Sequence, residues 1–122
     1  RGGESAGRLF GHATYFAPNA SKADHYAEED DDGICCMVLA RVCLGQAKPT
    51  SAPTPNSLRP GLVRGRLPAD SVVALTREYG GCVDHPEAMV YNEGQALPEY
   101  VIYYRHREQC LCHRCEPQDP LV

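Results

Sequence analysis

The chain has 122 residues, of which 43% are hydrophobic and 23% charged, and its formal net charge is −4. This length and composition suit one small folded domain and exclude a wholly disordered chain. No apolar run approaches the roughly 20 residues that a membrane-spanning helix needs, so we expect no membrane partner. The sequence begins with Arg1 rather than Met, and we expect it to be a fragment of a longer chain or a processed product.

The acidic charge is concentrated in one segment. Six of the 16 acidic residues lie within residues 24–32, which contain no Lys or Arg. A protein that binds a phosphate backbone needs a clustered basic face. The one basic cluster is short and lies near the end of the sequence: Arg105, His106, Arg107, His113 and Arg114. We therefore expect no direct nucleic-acid contact from this segment.

The first predicted elements are two strand pieces and a helix. Residues 9–10 and 14–17 have the pattern of strand pieces on either side of Gly11. Asn19 or Ser21 can cap the helix that follows, and Ser21 with Asp24 fits a capping box. Alanines recur at helical spacing and predict that one helix face packs inward: Ala20, Ala23 and Ala27.

Strands dominate the remainder of the prediction. Residues 34–44 form the most apolar stretch and predict a long buried strand. Residues 46–70 contain five prolines and predict a surface loop. Three shorter strands are predicted, with a turn at residues 92–95 between the last two: 71–75, 88–91 and 100–104. The fold class is α+β with an antiparallel sheet.

The seven cysteines do not predict a disulfide framework, because their number is odd, two are adjacent and no secretory signal is present. Four candidate metal ligands crowd into the C-terminal tail: Cys110, Cys112, His113 and Cys115. Zinc sites usually join two ligand pairs across a longer loop, so a tetrahedron closed by this cluster alone would be strained. We expect a reactive tail without metal, and a structural zinc is the alternative.

Two segments resemble the catalytic domain of poly(ADP-ribose) polymerases. Residues 9–27, which contain Leu-Phe-Gly, Tyr-Phe-Ala and Ala-Ser-Lys-Ala, look like the family's Tyr-containing motif. Residues 87–104 are similar to its closing Glu-containing segment, which has the Gln-x-x-Pro-x-Tyr pattern. Between them, residues 37–45 resemble its central strand and residues 70–73 its Asp-Ser-Val element. The four elements occur in the family's order.

The resemblance implies an ADP-ribosyltransferase-like antiparallel split β-sheet with a short helix, incomplete at the N-terminus. Residues 1–108 would be a partial catalytic domain and residues 109–122 a Cys-rich tail. The implied activity is transfer of ADP-ribose, singly or as a polymer, from NAD as substrate to protein acceptors, with release of nicotinamide. The expected location is the nucleus or the cytoplasm.

The resemblance also assigns the site residues. Glu87 and Tyr15 match the catalytic positions, and Glu93 and Glu99 are alternatives to Glu87 by residue type alone. The implied NAD-binding residues are Tyr15, Phe16, Lys22, Ala23 and Tyr26. A carboxylate can stabilise the oxocarbenium-like state of glycosidic cleavage, and two aromatic rings can hold nicotinamide by stacking.

The sequence departs from the family pattern in several places. The family's His-Gly-(Ser/Thr) motif, which anchors the adenosine ribose and the carboxamide, does not occur in it. Three alanines replace residues that are common in relatives: Ala13, Ala23 and Ala88. The alternative function is therefore that of a catalytically inactive relative, acting as an NAD-binding or protein-interaction module.

Overall fold

A computed structural model describes residues 9–112 and Cys115. It has one helix, α1 (Ala20–Asp24), and two 3₁₀ turns, Arg77–Tyr79 and Glu93–Gln95. The strands are β1 (Thr14–Phe16), β2 (Cys35–Val42), β3 (Ala47–Thr50), β4 (Leu62–Val63), β5 (Leu67–Pro68), β6 (Ser71–Ala74), β7 (Glu87–Val90) and β8 (Ala96–Tyr104). The described part of the chain is thus mostly sheet, and no helix within it is long and apolar enough to span a bilayer.

The larger sheet has four strands in the order β1-β7-β6-β3. β7 is antiparallel to both β1 and β6, so that Met89 lies opposite Tyr15 on one side and Val72 on the other. β3 and β6 are parallel, which makes the prediction of a purely antiparallel sheet wrong for this pair. The prediction that residues 46–70 form only a loop is also wrong, because β3 and the β4–β5 hairpin lie there.

The hydrophobic core packs around this sheet. Its buried residues are Phe10, Val72, Ala74, Val83 and Met89. Phe10 belongs to a turn rather than to the strand predicted at residues 9–10. The turn requires glycine at Gly11, whose φ is +93° and where a Cβ would lie 2.2 Å from the Ser57 carbonyl oxygen.

β2 and β8 form a separate two-stranded ribbon with a register shift between Leu39 and Ala40. β2 confirms the predicted strand but not its burial, since Val38 and Leu39 are each more than half exposed. The apolar run predicted a buried strand, yet β8 is the one strand with which β2 pairs within the described residues. Hydrophobic sequence alone does not bury a strand that lacks a covering layer.

Helix α1 begins after Asn19, whose side chain accepts a hydrogen bond from the Ser21 amide. Ser21 lies inside the helix, so the predicted capping box with Asp24 is wrong and Asn19 is the cap. The helix ends at Asp24 and none of its residues is buried, which also corrects the predicted inward-packing alanine face. It is a single helical turn, separated from β1 by three residues.

Candidate active site

A cavity of about 220 Å³ lies between β1, α1 and the start of β7. Its lining contains every residue that the family resemblance assigned to the site, together with Ala17: Tyr15, Phe16, Lys22, Ala23, Tyr26 and Glu87. Residues 15–26 supply all but one of these, and the pairing of β1 with β7 brings in Glu87 from about 60 residues further along the chain. The sheet therefore assembles a site from two distant sequence segments.

Glu87 is the first residue of β7 and is held by its strand neighbours. It lies opposite Ala74 in the β6–β7 register and is only 9% exposed. A carboxylate this buried needs a charged or hydrogen-bonding partner. Lys22 provides one, with its Nζ atom 3.5 Å from Glu87 Oε1, and both side chains are largely buried. The ion pair fixes the carboxylate at the wall of the cavity.

Tyr15 presents its ring, rather than its hydroxyl, to the cavity. The hydroxyl accepts a hydrogen bond from the Phe10 amide at 2.8 Å and donates one to the Gly11 carbonyl at 2.9 Å. The ring also packs against the core cluster. These contacts orient the aromatic ring as a fixed surface for a ligand.

Tyr26 lies just after α1, lines the cavity and is 42% exposed. An exposed aromatic ring at the mouth of a cavity can stack on a flat ligand. Ala23 lines the same wall and offers no side-chain hydrogen bond to a carboxamide. Ligand hydrogen bonds on this wall must therefore come from backbone groups or from Lys22.

The alternative carboxylates lie elsewhere. Glu93 belongs to the 3₁₀ turn before β8, and Glu99 forms a salt bridge of 3.0 Å with Arg41 on the ribbon. Neither lines the cavity that contains Tyr15 and Tyr26. Of the three acidic candidates, the structure brings only Glu87 to these aromatic rings.

Tyr91 supports the site and was missed from the sequence. Its hydroxyl donates a 2.5 Å hydrogen bond to the Phe10 carbonyl, next to the amide that Tyr15 binds. Burial raises the pKa of Tyr91, and the nearby Tyr15 adds to the rise, so the hydroxyl stays protonated as a donor. Tyr91 ends the strand predicted at residues 88–91 and belongs to the family's closing segment, but neither pattern predicts its bond to a residue about 80 positions earlier.

A second cavity, of about 920 Å³, lies against the other face of α1. Ala20, Ser21 and Asp24 line it, whereas Lys22 and Ala23 line the smaller one. This division follows from the 100° rotation per helical residue. The larger cavity also borders the residues that follow β8, including Cys110 and Cys112, and none of the residues that the resemblance assigns to the NAD site lines it.

The family model of the poly(ADP-ribose) polymerase catalytic domain matches residues 2–106, which is most of the sequence. The chain belongs to this family, and the resemblance read from residues 9–27 and 87–104 is confirmed. The general activity of the family is that of an ADP-ribosyltransferase. The boundary at residue 108 between this domain and a Cys-rich tail stays a prediction.

Proposed function

We propose that the protein transfers ADP-ribose from NAD to protein acceptors, releasing nicotinamide. The observation that supports this most directly is the cavity in which Glu87 and Lys22 meet the rings of Tyr15 and Tyr26. Its chemistry is that of a site for a flat aromatic ring next to a carbon atom on which positive charge develops. We also propose the split-sheet fold of ADP-ribosyltransferases, with β1, β6 and β7 in one half and the β2–β8 ribbon in the other.

The size of the cavity indicates which part of NAD it takes. A volume of about 220 Å³ is below the range of roughly 300–1,000 Å³ that is usual for pockets enclosing a drug-sized ligand. It suits the nicotinamide ring, while the ribose and pyrophosphate would extend outward past Glu87. Tyr15 and Tyr26 would hold the ring by stacking.

Glu87 would act on the bond between nicotinamide and ribose. As that bond breaks, the bonding electrons leave with nicotinamide and positive charge develops on the ribose. The carboxylate of Glu87 stabilises this charge in a partly dry site, where electrostatic effects are strong. It also takes a hydrogen bond from a ribose hydroxyl and can accept the proton of the incoming acceptor nucleophile, whose bond to ribose completes the transfer.

Lys22 would hold Glu87 in place without taking part in bond breaking. Its ammonium group lies 3.5 Å from the carboxylate and keeps that group oriented along the cavity wall.

The location that suits an NAD-consuming enzyme is inside the cell, in the nucleus or the cytoplasm. Whether the product is a single ADP-ribose or a polymer depends on acceptor contacts beyond these residues.

The substitution Glu87→Gln tests this function in the intact protein. It keeps the shape of the side chain and removes its charge, so we expect transfer of labelled ADP-ribose to fall by about 10²- to 10³-fold. The matched control is Glu93→Gln, which changes an exposed carboxylate outside the cavity and should leave the rate unchanged. Product is measured as labelled protein, and nicotinamide release is measured in parallel.

The same assay separates the enzyme from an inactive relative. The alanines at positions where relatives commonly carry other residues, Ala13, Ala23 and Ala88, support a module that binds NAD or a protein partner without catalysis. In that case the unsubstituted protein would bind NAD without releasing nicotinamide, and Glu87→Gln would leave the Kd nearly unchanged. Equal rates for Glu87→Gln and Glu93→Gln would overturn the assignment of Glu87.

A further inference from the structure

The segment after β8 gathers four metal-ligating side chains. The Nδ1 atom of His106 lies 3.5 Å from Sγ of Cys110, 3.2 Å from Sγ of Cys112 and 3.3 Å from Sγ of Cys115. All four ligand atoms lie within 4.8 Å of one another. The local turn, in which the Cys110 amide bonds to the Arg107 carbonyl, folds the cysteines back towards the imidazole.

These distances fit a tetrahedral metal site. Zinc binds sulfur at about 2.3 Å and imidazole nitrogen at about 2.0–2.1 Å, which places the nitrogen–sulfur edges of a tetrahedron near 3.5 Å. The three observed edges are 3.2–3.5 Å. We propose that His106, Cys110, Cys112 and Cys115 bind one structural Zn²⁺ ion. Three thiolates and an imidazole favour zinc over the hard cations Mg²⁺ and Ca²⁺.

Asp24 orients the imidazole for this role. Both of its carboxylate oxygens lie 2.9 Å from Nε2 of His106, on the side of the ring opposite the sulfurs. When Nε2–H donates to the carboxylate, the lone pair of Nδ1 is left facing the three sulfurs. Tyr104 holds Asp24 in turn, through a 2.5 Å hydrogen bond from its hydroxyl to Oδ1. The arrangement is that of a carboxylate–histidine–metal triad.

The backbone supports the sulfur side of the cluster. The Cys112 amide donates to Sγ of Cys110 at 3.4 Å, a contact that stabilises negative charge on a metal-bound thiolate. The Cys115 amide bonds to the Cys112 carbonyl at 3.1 Å and closes the Cys-x-x-Cys turn. None of the described cysteines is in a disulfide. The cluster therefore consists of four candidate ligand atoms close together, with Asp24 bonded to the imidazole and a backbone amide bonded to one sulfur.

The ligand set differs from the one considered from the sequence. There the histidine candidate was His113, which lies outside the described residues. His106 lies two residues after β8 ends and four residues before Cys110, so a set that includes it spans a longer stretch of chain than the cluster in the tail alone. With four protein ligands, the site is closed to substrate and its role is structural.

The proposed metal site is joined to α1, the helix that also lines the smaller cavity. Asp24 is in α1, so the metal fastens the segment after β8 to the helix through His106 and Asp24. The opposite face of α1 supplies Lys22 and Ala23 to the smaller cavity. Zinc would thus hold the helix that forms one wall of the candidate active site.

The first test measures metal in the intact protein, purified under reducing conditions. We expect one zinc ion per chain by elemental analysis, and a cobalt-substituted sample with the intense thiolate-to-metal absorption of a sulfur-rich tetrahedral site. Cys112→Ser should lose most of the zinc. The matched control is Cys36→Ser, which changes an exposed cysteine on β2 outside the cluster and should retain it.

A second variant keeps all four ligands. Asp24→Asn removes only the carboxylate behind His106, and we expect zinc affinity to fall by about 10- to 100-fold. Asp31→Asn, in the exposed acidic segment, is its control and should leave affinity unchanged. This comparison is informative even if Cys112→Ser does not fold.

Three results would overturn the zinc site. One is purified protein that contains no zinc and gives no thiolate–cobalt absorption on titration. Another is undiminished zinc content in folded Cys112→Ser. The third is a thiol titration of protein purified without reductant that finds disulfides among Cys110, Cys112 and Cys115.

Discussion

Similar apolar residues are buried in the four-stranded sheet and exposed in the β2–β8 ribbon. In the four-stranded sheet, Val72, Met89 and Val90 are each at most 3% exposed. In the β2–β8 ribbon, Val38 and Val101 lie opposite each other and are each more than half exposed. The residue types are alike. Burial therefore depends on whether the strand is covered, either by a second layer or by a turn such as the one that contains Phe10.

The positions of the strands explain this contrast. β6 and β7 are the central strands of their sheet, with neighbours on both sides. β2 and β8 pair only with each other among the described residues, and each therefore has an open edge. A two-stranded ribbon by itself is marginally stable in water. We expect the ribbon to depend on its attachments to the four-stranded sheet.

The largest expected effect is on the core of the four-stranded sheet. Met89→Ala should lower the free energy of unfolding by about 2–5 kcal/mol, because it leaves a cavity in a fully buried site. Val101→Ala on the ribbon should cost less than about 1 kcal/mol, because that side chain is 55% exposed. Urea unfolding of the two variants measures the difference.

Met89→Leu provides the control, since a swap of similar volume should cost less than about 1.5 kcal/mol. Equal losses of stability for Met89→Ala and Val101→Ala would mean that the ribbon is as well packed as the core, and the contrast between the sheets would not hold.

A smaller effect is expected where the two sheets are joined. The side-chain amide of Gln95 donates two hydrogen bonds through Nε2, one to the Cys43 carbonyl at 3.1 Å and one to the Asp70 carbonyl at 2.8 Å. These bonds link the ribbon to the segment before β6. Gln95→Ala should cost about 0.5–1.5 kcal/mol. Hydrogen exchange should speed up in β8 more than in β7, because the ribbon loses its attachment.

The matched control for this link is Gln46→Ala. Gln46 bonds to the Asp70 carboxylate through its backbone amide, which the substitution keeps. Exchange that rises equally in β7 and β8 of the Gln95 variant would show that the link stabilises the whole domain rather than the ribbon.

The smallest effect concerns the salt bridge on the ribbon surface. Arg41 and Glu99 are 3.0 Å apart, but the Arg41 side chain is 72% exposed. A double-mutant cycle with Arg41→Ala and Glu99→Ala should give a coupling energy below about 1 kcal/mol that shrinks as salt is added. A coupling of several kcal/mol, insensitive to salt, would mean that the ribbon is covered in solution.

The sequence predicted what depends on local pattern. The strands around Tyr15, Val72, Met89 and Tyr103 were predicted from short apolar segments and the turn residues between them, and the family motifs selected the side chains that line the small cavity. Non-local properties could not be predicted in this way. The parallel pairing of β3 with β6 depends on a crossover rather than on residue types.

The same limit explains the missed residues. His106 was considered only as one member of a basic cluster, because nothing in its neighbours indicates that the chain turns back and brings three sulfurs to its ring. Tyr91 bonds to the Phe10 carbonyl and Asp24 to the His106 ring, in each case about 80 residues away along the chain. Such contacts appear only when the strands that carry them are paired.

The pairing order of the strands sets when the protein can fold during its synthesis. β7 completes the four-stranded sheet and β8 completes the ribbon, and both are made after every strand that they join. Until residue 87 leaves the ribosome, the described pairings open to the nascent chain are the β3–β6 pair and the β4–β5 hairpin. β1, in the Tyr motif, therefore stays unpaired while about 70 further residues are made, a period in which exposed apolar segments are prone to aggregation.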